Sequence, residues 1–265
     1  MNRIDANFRK CKEQGRAAMI FYITAGYPDI PTTETVIDAL AEAGADVVEI
    51  GIPFSDPIAD GPTIQEASTV ALNNGVTVQA ILNMTMRVRK RHPELGLLLF
   101  GAYNPILHYG EIAFAESAAT AGADGLLVPD LPPEAAGKLQ TSAEAQDMGM
   151  VYLVAPTTTP ERARKITEAS RGFIYYISIK GVTGARAELP PDLEPRVKAV
   201  KELTDKPVAV GFGVAEPAQA RAIASFADGV IVGSALIKIV GANAGTPELA
   251  DRVRDYARSL VEAVK

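Results

Sequence analysis

The chain has no tryptophan, one cysteine and two histidines in 265 residues. A lone thiol, Cys11, can form neither an internal disulfide nor a thiolate metal site. It lies in a polar, helical-looking stretch (7–14) with no base positioned beside it, so it reads as an incidental thiol. His92, at a helix end, and His108, read as a loop residue, have no second His or Cys at ligand spacing, so no metal site is expected. Positive charge is scarce as well. Twenty-six Lys and Arg against 32 Asp and Glu leave a formal charge of −6, which argues against a nucleic-acid or anionic-membrane surface. No apolar run approaches the ~18 residues that cross a bilayer. The opening segment, with Arg3, Asp5, Arg9 and Lys10, lacks the apolar core of a signal peptide. These absences point to a soluble protein of a reducing compartment, the cytoplasm, and to any anionic ligand being held by backbone amides or a few placed cations.

What the chain does contain is a recurring pattern. Hydrophobic residues make up 48% of it, enough to fill a sizeable core. Short apolar runs occur at 19–25, 47–52, 97–102, 125–129, 150–155, 173–178, 207–212 and 229–233. They lack apolar/polar alternation, as strands covered on both faces do. Helical patterns lie between them, among them 33–43, 111–121, 134–148, 161–170 and 217–226. Between the second and third runs there are two such stretches, 63–73 and 78–91, split at Asn73-Asn74-Gly75. The pattern predicts an α/β protein: a single (β/α)8 barrel domain over 1–265, with an extra N-terminal helix (4–14) and an inserted helix after strand 2. Glycine and proline cluster just after the runs, in the loops that would form the C-terminal face of the barrel, where active sites are built.

Three constellations on that face carry chemistry. Gly211-Phe212-Gly213 and Gly233-Ser234 close the seventh and eighth runs ahead of a short apolar helix, and such turns make an anion cradle suited to phosphate. Glu49 lies inside an apolar run, where desolvation raises a carboxyl pKa towards neutrality, and Asp60 lies in the loop that follows (53–61). Asp56 in the same loop reads as a turn or cap residue. Tyr175 and Tyr176 are adjacent in the sixth run, so only one can face the barrel interior. Lys180, just past that run, is the residue that would support a Schiff base, but a Gly-rich loop follows it in place of an apolar pocket.

The segments 48–65 (VEIGIPFSDPIADGPTIQ), 101–106 (GAYNPI), 125–133 (GLLVPDLPP), 175–184 (YYISIKGVTG), 211–214 (GFGV) and 233–235 (GSA) resemble the tryptophan synthase α-subunit family, and the likeness runs along essentially the whole chain. The resemblance implies retro-aldol cleavage of indole-3-glycerol phosphate to indole and glyceraldehyde 3-phosphate. It also implies site roles. Glu49 would be the acid/base, Asp60 the carboxylate at the indole N–H, and Tyr175 an active-site tyrosine. Gly184, Gly213, Gly233 and Ser234 would bind phosphate. Tyr22, Ile64, Phe100, Leu127 and Phe212 would wall the indole pocket, with Tyr22 and Phe100 departing from the commoner residues there. Asp56 and Thr183, on the 53–61 and 179–189 loops, would act in closure. The family implies no cofactor in this chain, with pyridoxal phosphate carried by a β-subunit partner in an α2β2 heterotetramer. The segments 53–56 and 104–109 would be exposed contact loops. Two rival readings are a Schiff-base sugar-phosphate aldolase using Lys180 and a catalytically silent barrel that activates a partner.

Overall fold

The computed structural model describes residues 2–58, 60–177 and 189–265. Its strands are β1 (Ala18–Thr24), β2 (Val47–Gly51), β3 (Gly96–Phe100), β4 (Gly125–Leu127), β5 (Gly149–Val154), β6 (Ile174–Ile177), β7 (Val208–Gly211) and β8 (Gly229–Val232). All pair in parallel, and they close in chain order into a barrel, β8 returning to β1. The helices are α1 (Arg3–Glu13), α2 (Ile30–Ala43), α3 (Pro62–Asn73), α4 (Val78–Arg91), α5 (Tyr103–Tyr109), α6 (Glu111–Ala121), α7 (Gly137–Ala145), α8 (Pro160–Ala169), α9 (Leu193–Lys201), α10 (Pro217–Ala224), α11 (Ser234–Ala242) and α12 (Leu249–Ala263). The (β/α)8 barrel, the N-terminal helix and the inserted helix after β2 all stand where the apolar periodicity puts them.

Strand alternation divides the apolar residues between two cores. Ala18, Ile20, Val47, Leu98, Leu127, Val151, Phe173, Ala209 and Ile231 point inward and fill the barrel, while a larger cluster fills the layer between strands and helices. From α1, Ile4, Phe8 and Cys11, spaced on one helical face, close the bottom of the barrel. The stretch around Cys11 is polar only on its outer face; burial pushes the thiol up to about 12 and keeps it protonated.

A repeated device seals the bottom of the barrel. Asp46, Asp124 and Asp228 each precede a strand, and each carboxylate accepts a backbone N–H at the start of a neighbouring strand. The donors are Met19 N at 2.8 Å, Leu97 N at 2.8 Å and Val208 N at 2.9 Å. Each also pairs with a cation: Arg16 at 2.7 Å, Arg89 at 2.7 Å and Lys201 at 2.8 Å respectively. Arg3 joins Asp124 at 3.0 Å, and Asn2 Nδ2 donates to the Asp124 carbonyl at 3.0 Å, so α1 is tied to the barrel floor by polar bonds as well as by packing.

Two local expectations are corrected. The segment 104–109, read as an exposed loop, lies in α5, and His108 is therefore in a helix. Pro105 falls in the first turn, where its missing N–H is tolerated, and Ile106 anchors the helix while Leu107 stays exposed. The stretch 134–148 shortens to α7, because a turn over 132–136 takes up its start and Asp147, at φ +59°, breaks its end. The helix α9 stands between β6 and β7, where the alternation of strands and helices requires one, with an apolar face of only Leu193, Val197 and Val200.

Candidate active site

The C-terminal ends of β1 and β2 set the geometry. Tyr22 and Glu49 are register partners on adjacent strands and face the barrel interior together. Two residues further along β2 on the same face, Gly51 leaves room for the Tyr22 side chain: a Cβ there would sit 2.2 Å from the phenol oxygen. The arrangement recurs on the opposite side of the barrel. Tyr175 on β6 lies across Gly211 of β7, where a Cβ would approach its ring and hydroxyl to 2.8 Å. Of the adjacent tyrosines it is thus Tyr175 that faces inward, its ring 6.4 Å from that of Phe173, while Tyr176 belongs to the outer layer. Neither glycine can be replaced without displacing a tyrosine.

Glu49 is 1% exposed, and neither of its carboxyl oxygens has a hydrogen-bond partner among the described residues. A carboxylate in that setting loses its hydration and gains nothing in return, so burial pushes Glu49 up to about 8. Asp60, on the loop after β2, is raised by burial to about 6. Two carboxyls from one strand and its own loop therefore titrate at separate pH values. Burial and the neighbouring carboxylates also raise the hydroxyls of Tyr22 and Tyr175. For Tyr22 the stronger carboxylate influence is Asp60, and for Tyr175 it is Glu49.

Above these groups opens a cleft of about 590 Å3, including its mouth. Tyr22, Asp56, Asp60 and Phe100 line it, with Ile52 and Phe54 from the β2 loop and Pro129 and Asp130 after β4. The Phe100 ring meets Tyr22 edge to face at 5.4 Å. The wall is largely aromatic and aliphatic, and the ionisable groups among its described residues are a tyrosine and carboxyls, with no cation. Asp130 also accepts from the backbone N–H of Tyr103 at 2.9 Å, which fixes the start of α5 at the rim. Phe54 and Asp130 were not singled out by sequence reasoning; their signal was position alone, in loops that follow strands.

The other candidates lie around this centre. Leu127 is fully buried in the inner core. Ile64, in the first turn of α3, and Phe212, just past β7, are buried in the outer layer and have no face on the cleft. Gly213 adopts φ +77°, a left-handed turn that suits glycine. Gly233 precedes α11, whose first residue is Ser234, and no side chain caps that helix. Its leading N–H groups are therefore available to an anion at the positive end of the helix. Gly184, Thr183, Lys180 and all but the last residue of the 179–189 loop lie outside the described residues. Among the described residues no His, Cys, Asp and Glu group together in a way that could hold a metal ion, and no helix is long and apolar enough to cross a membrane.

The chain matches the family model of the tryptophan synthase alpha chain over residues 8–265. A tryptophan synthase alpha chain of Geobacter sulfurreducens is 45% identical over 264 residues, covering 100% of this chain and 99% of its own. Among solved structures, a Mycobacterium tuberculosis tryptophan synthase superposes with a TM-score of 0.90 at 41% identity, over 99% of this chain and 98% of that one. The tryptophan synthase subunit alpha of Legionella pneumophila does so with a TM-score of 0.91 at 38% identity, over 100% and 98%. On the strength of these full-length matches, the chain belongs to the tryptophan synthase alpha chain family.

Proposed function

We infer that this chain is a carbon–carbon lyase of tryptophan biosynthesis that cleaves indole-3-glycerol phosphate to indole and glyceraldehyde 3-phosphate, with Glu49 and Asp60 dividing the proton and charge chemistry between them. The observation that carries the division of roles is the buried, unpartnered Glu49 carboxyl. Raised to about 8, it holds its proton at neutral pH and can deliver it to indole C3. Protonation turns the ring into an iminium-like electron sink. Asp60, ionised above about 6, stabilises the positive charge at the ring nitrogen. The Glu49 carboxylate then takes the proton of the side-chain hydroxyl. Its oxygen becomes the aldehyde carbonyl, the carbon–carbon bond breaks, and the bonding pair returns to the ring as neutral indole. The ring supplies its own electron sink, so the reaction needs neither an imine nor a cofactor on this chain.

Tyr22 and Phe100 form walls of the indole pocket, Leu127, Ile64 and Phe212 back them, and Tyr175 is the active-site tyrosine facing the barrel interior from β6. Gly213, Gly233, Ser234 and Gly184 hold the phosphate through backbone amides, which is compatible with a cleft whose described residues include no cation. Asp56 and Thr183 act in loop closure. The chain works as one (β/α)8 domain over 1–265 in the cytoplasm. Its partner is a pyridoxal-phosphate-bearing β subunit in an α2β2 assembly that receives the indole; exposed Leu107 lies on the 104–109 segment proposed to meet it, and exposed Ile58 lines the cleft just past the 53–56 segment.

Indole release tests the assignment, and with no tryptophan in the chain it can be followed by fluorescence without background from this subunit. Glu49→Gln should lower turnover by about 10²–10⁴-fold, the range of a lost general acid/base, and Asp60→Asn by less, because it transfers no proton. Turnover in Glu49→Gln equal to that of the unaltered chain would remove Glu49 from the mechanism. The pH profile of kcat/KM should be bell-shaped, with apparent limbs near 6 and 8.

A further inference from the structure

A second cleft lies at the other end of the barrel. It measures about 1610 Å3, including its mouth, against about 590 Å3 at the active site. The end of α1, the segments that enter β1, β7 and β8, and the ends of α10 and α12 wall it. Gly15 turns the chain out of α1 at φ +68°, and a Cβ there would meet nothing within 4 Å, so this side of the cleft is open.

The charge of the cleft runs against that of the chain. Six basic side chains, Lys12, Arg16, Lys201, Lys206, Arg221 and Lys265, share the lining with two acidic ones, Asp205 and Asp228. The whole chain carries a formal charge of −6. Three of the cations hold the fold together. Arg16 and Lys201 pair with Asp46 and Asp228, and Lys206 Nζ donates to the carbonyls of Thr167 at 2.6 Å and Glu168 at 2.9 Å. Lys12 and Arg221 do not. Both are exposed, and neither side chain has a hydrogen-bond or ion-pair partner among the described residues. They stand in the last turns of α1 and α10, where a cation offsets the negative end of the helix dipole. Dipole compensation accounts for one cation at each helix end, but not for the convergence of six on one concavity.

Charges of one sign gathered in a cleft focus their field and raise the local concentration of the opposite ion. Two unpaired cations on separate helices, over a volume of this size, suit several linked phosphates better than one. Pro207 and half-buried Phe226 add an apolar ledge beside them.

We propose that the cleft at the bottom of the barrel is a second anion site, separate from the active site, that binds a polyphosphate chain, free or carried by a nucleotide, through Lys12 and Arg221. The paired cations Arg16, Lys201 and Lys206 supply the field behind them. The site is independent of the reaction assigned to the top of the barrel. Its walls come from helices and loops that meet only in the folded chain, so occupancy stabilises the fold.

Equilibrium dialysis of the full chain with tripolyphosphate tests this at about 0.15 M salt, where exposed charges more than about 8 Å apart are largely screened. Binding should saturate at one molecule per chain, and the melting temperature should rise with its concentration. Lys12→Gln with Arg221→Gln should weaken binding by about tenfold or more, the size of two charge-assisted contacts. Lys90→Gln with Lys138→Gln, the same change of charge at exposed positions outside the cleft, should leave it within about twofold. Indole release should keep its kcat and KM in both pairs. Dialysis below each variant's melting temperature keeps the comparison free of any loss of stability. ATP tried beside tripolyphosphate separates the two sources: tighter binding of ATP places its base on the Phe226 ledge, and equal binding leaves the phosphate chain as the whole ligand. Binding that does not saturate, or that weakens equally in both pairs, would reduce the cleft to diffuse charge and overturn the proposal. Binding that survives the loss of Lys12 and Arg221 and is displaced by indole-3-glycerol phosphate would overturn it too, by moving the anion to the top of the barrel.

Discussion

Glu49 is a buried carboxyl without a hydrogen-bond partner among the described residues, and its consequence for stability has a definite sign. The folded state holds the carboxyl proton up to about 8, against an ordinary value of 4.5 in the unfolded chain. Between those values the folded state binds more protons, so stability falls as pH rises through the window. In Glu49→Gln the group that titrates is gone and the fall disappears. Melting temperatures measured from pH 5 to 9 should therefore diverge, with the variant gaining on the unaltered chain as pH rises. Parallel curves would mean that Glu49 is solvated or paired in solution. The same burial that gives the residue its chemistry costs the fold stability, a pattern expected of working sites.

Among the elements, α11 is the one whose position gives it a function. It begins at Ser234 directly after β8, without a side-chain cap, so the amides of its first turn face the C-terminal mouth of the barrel. Ser234→Asp would place a fixed negative charge where the substrate phosphate is proposed to sit. The expected result is a KM for indole-3-glycerol phosphate raised by about tenfold or more, with little change in melting temperature, since an acidic residue suits the first turn of a helix. Steady-state kinetics beside a thermal melt separate this from general damage, and an unchanged KM would move the phosphate elsewhere. The short helices α5 and α9 show where periodicity fails. With one buried residue in α5 and three in α9, the amphipathic signal is too weak to read, and packing against the barrel decides the conformation.

For the whole molecule, the two ends of the barrel do different work. The bottom is closed by α1 and by the three aspartates, each satisfied by an amide and a cation. The top holds a buried carboxyl with no hydrogen-bond partner among the described residues. Stability is thus concentrated away from the chemistry. Asp124→Ala should cost about 3–5 kcal/mol, the range for breaking a buried pair, because Arg89 and the amide of Leu97 lose their shared partner. Denaturant unfolding would measure the loss, and kcat per folded molecule should stay near that of the unaltered chain. A variant that instead loses kcat at full stability would place the bottom device in the active site's conformational coupling.

The sequence by itself determined the barrel and the chemistry it would host. Strands buried on both faces must be written as unbroken apolar runs, and the helices between them must show an apolar stripe, so the (β/α)8 order and the inserted pair after β2 were legible from periodicity. The same contrast exposed Glu49, because a carboxyl inside an apolar run has no local partner to explain it. Tertiary structure decided what depends on atoms distant in the chain. That Tyr175 and not Tyr176 faces inward, that Gly51 and Gly211 are gaps for tyrosines on neighbouring strands, and that Asp130 joins the cleft from β4 all follow from register across strands, which no local pattern encodes. So too with the aspartates at the barrel floor: each looks like an ordinary loop residue until closure brings the amide and the cation to it.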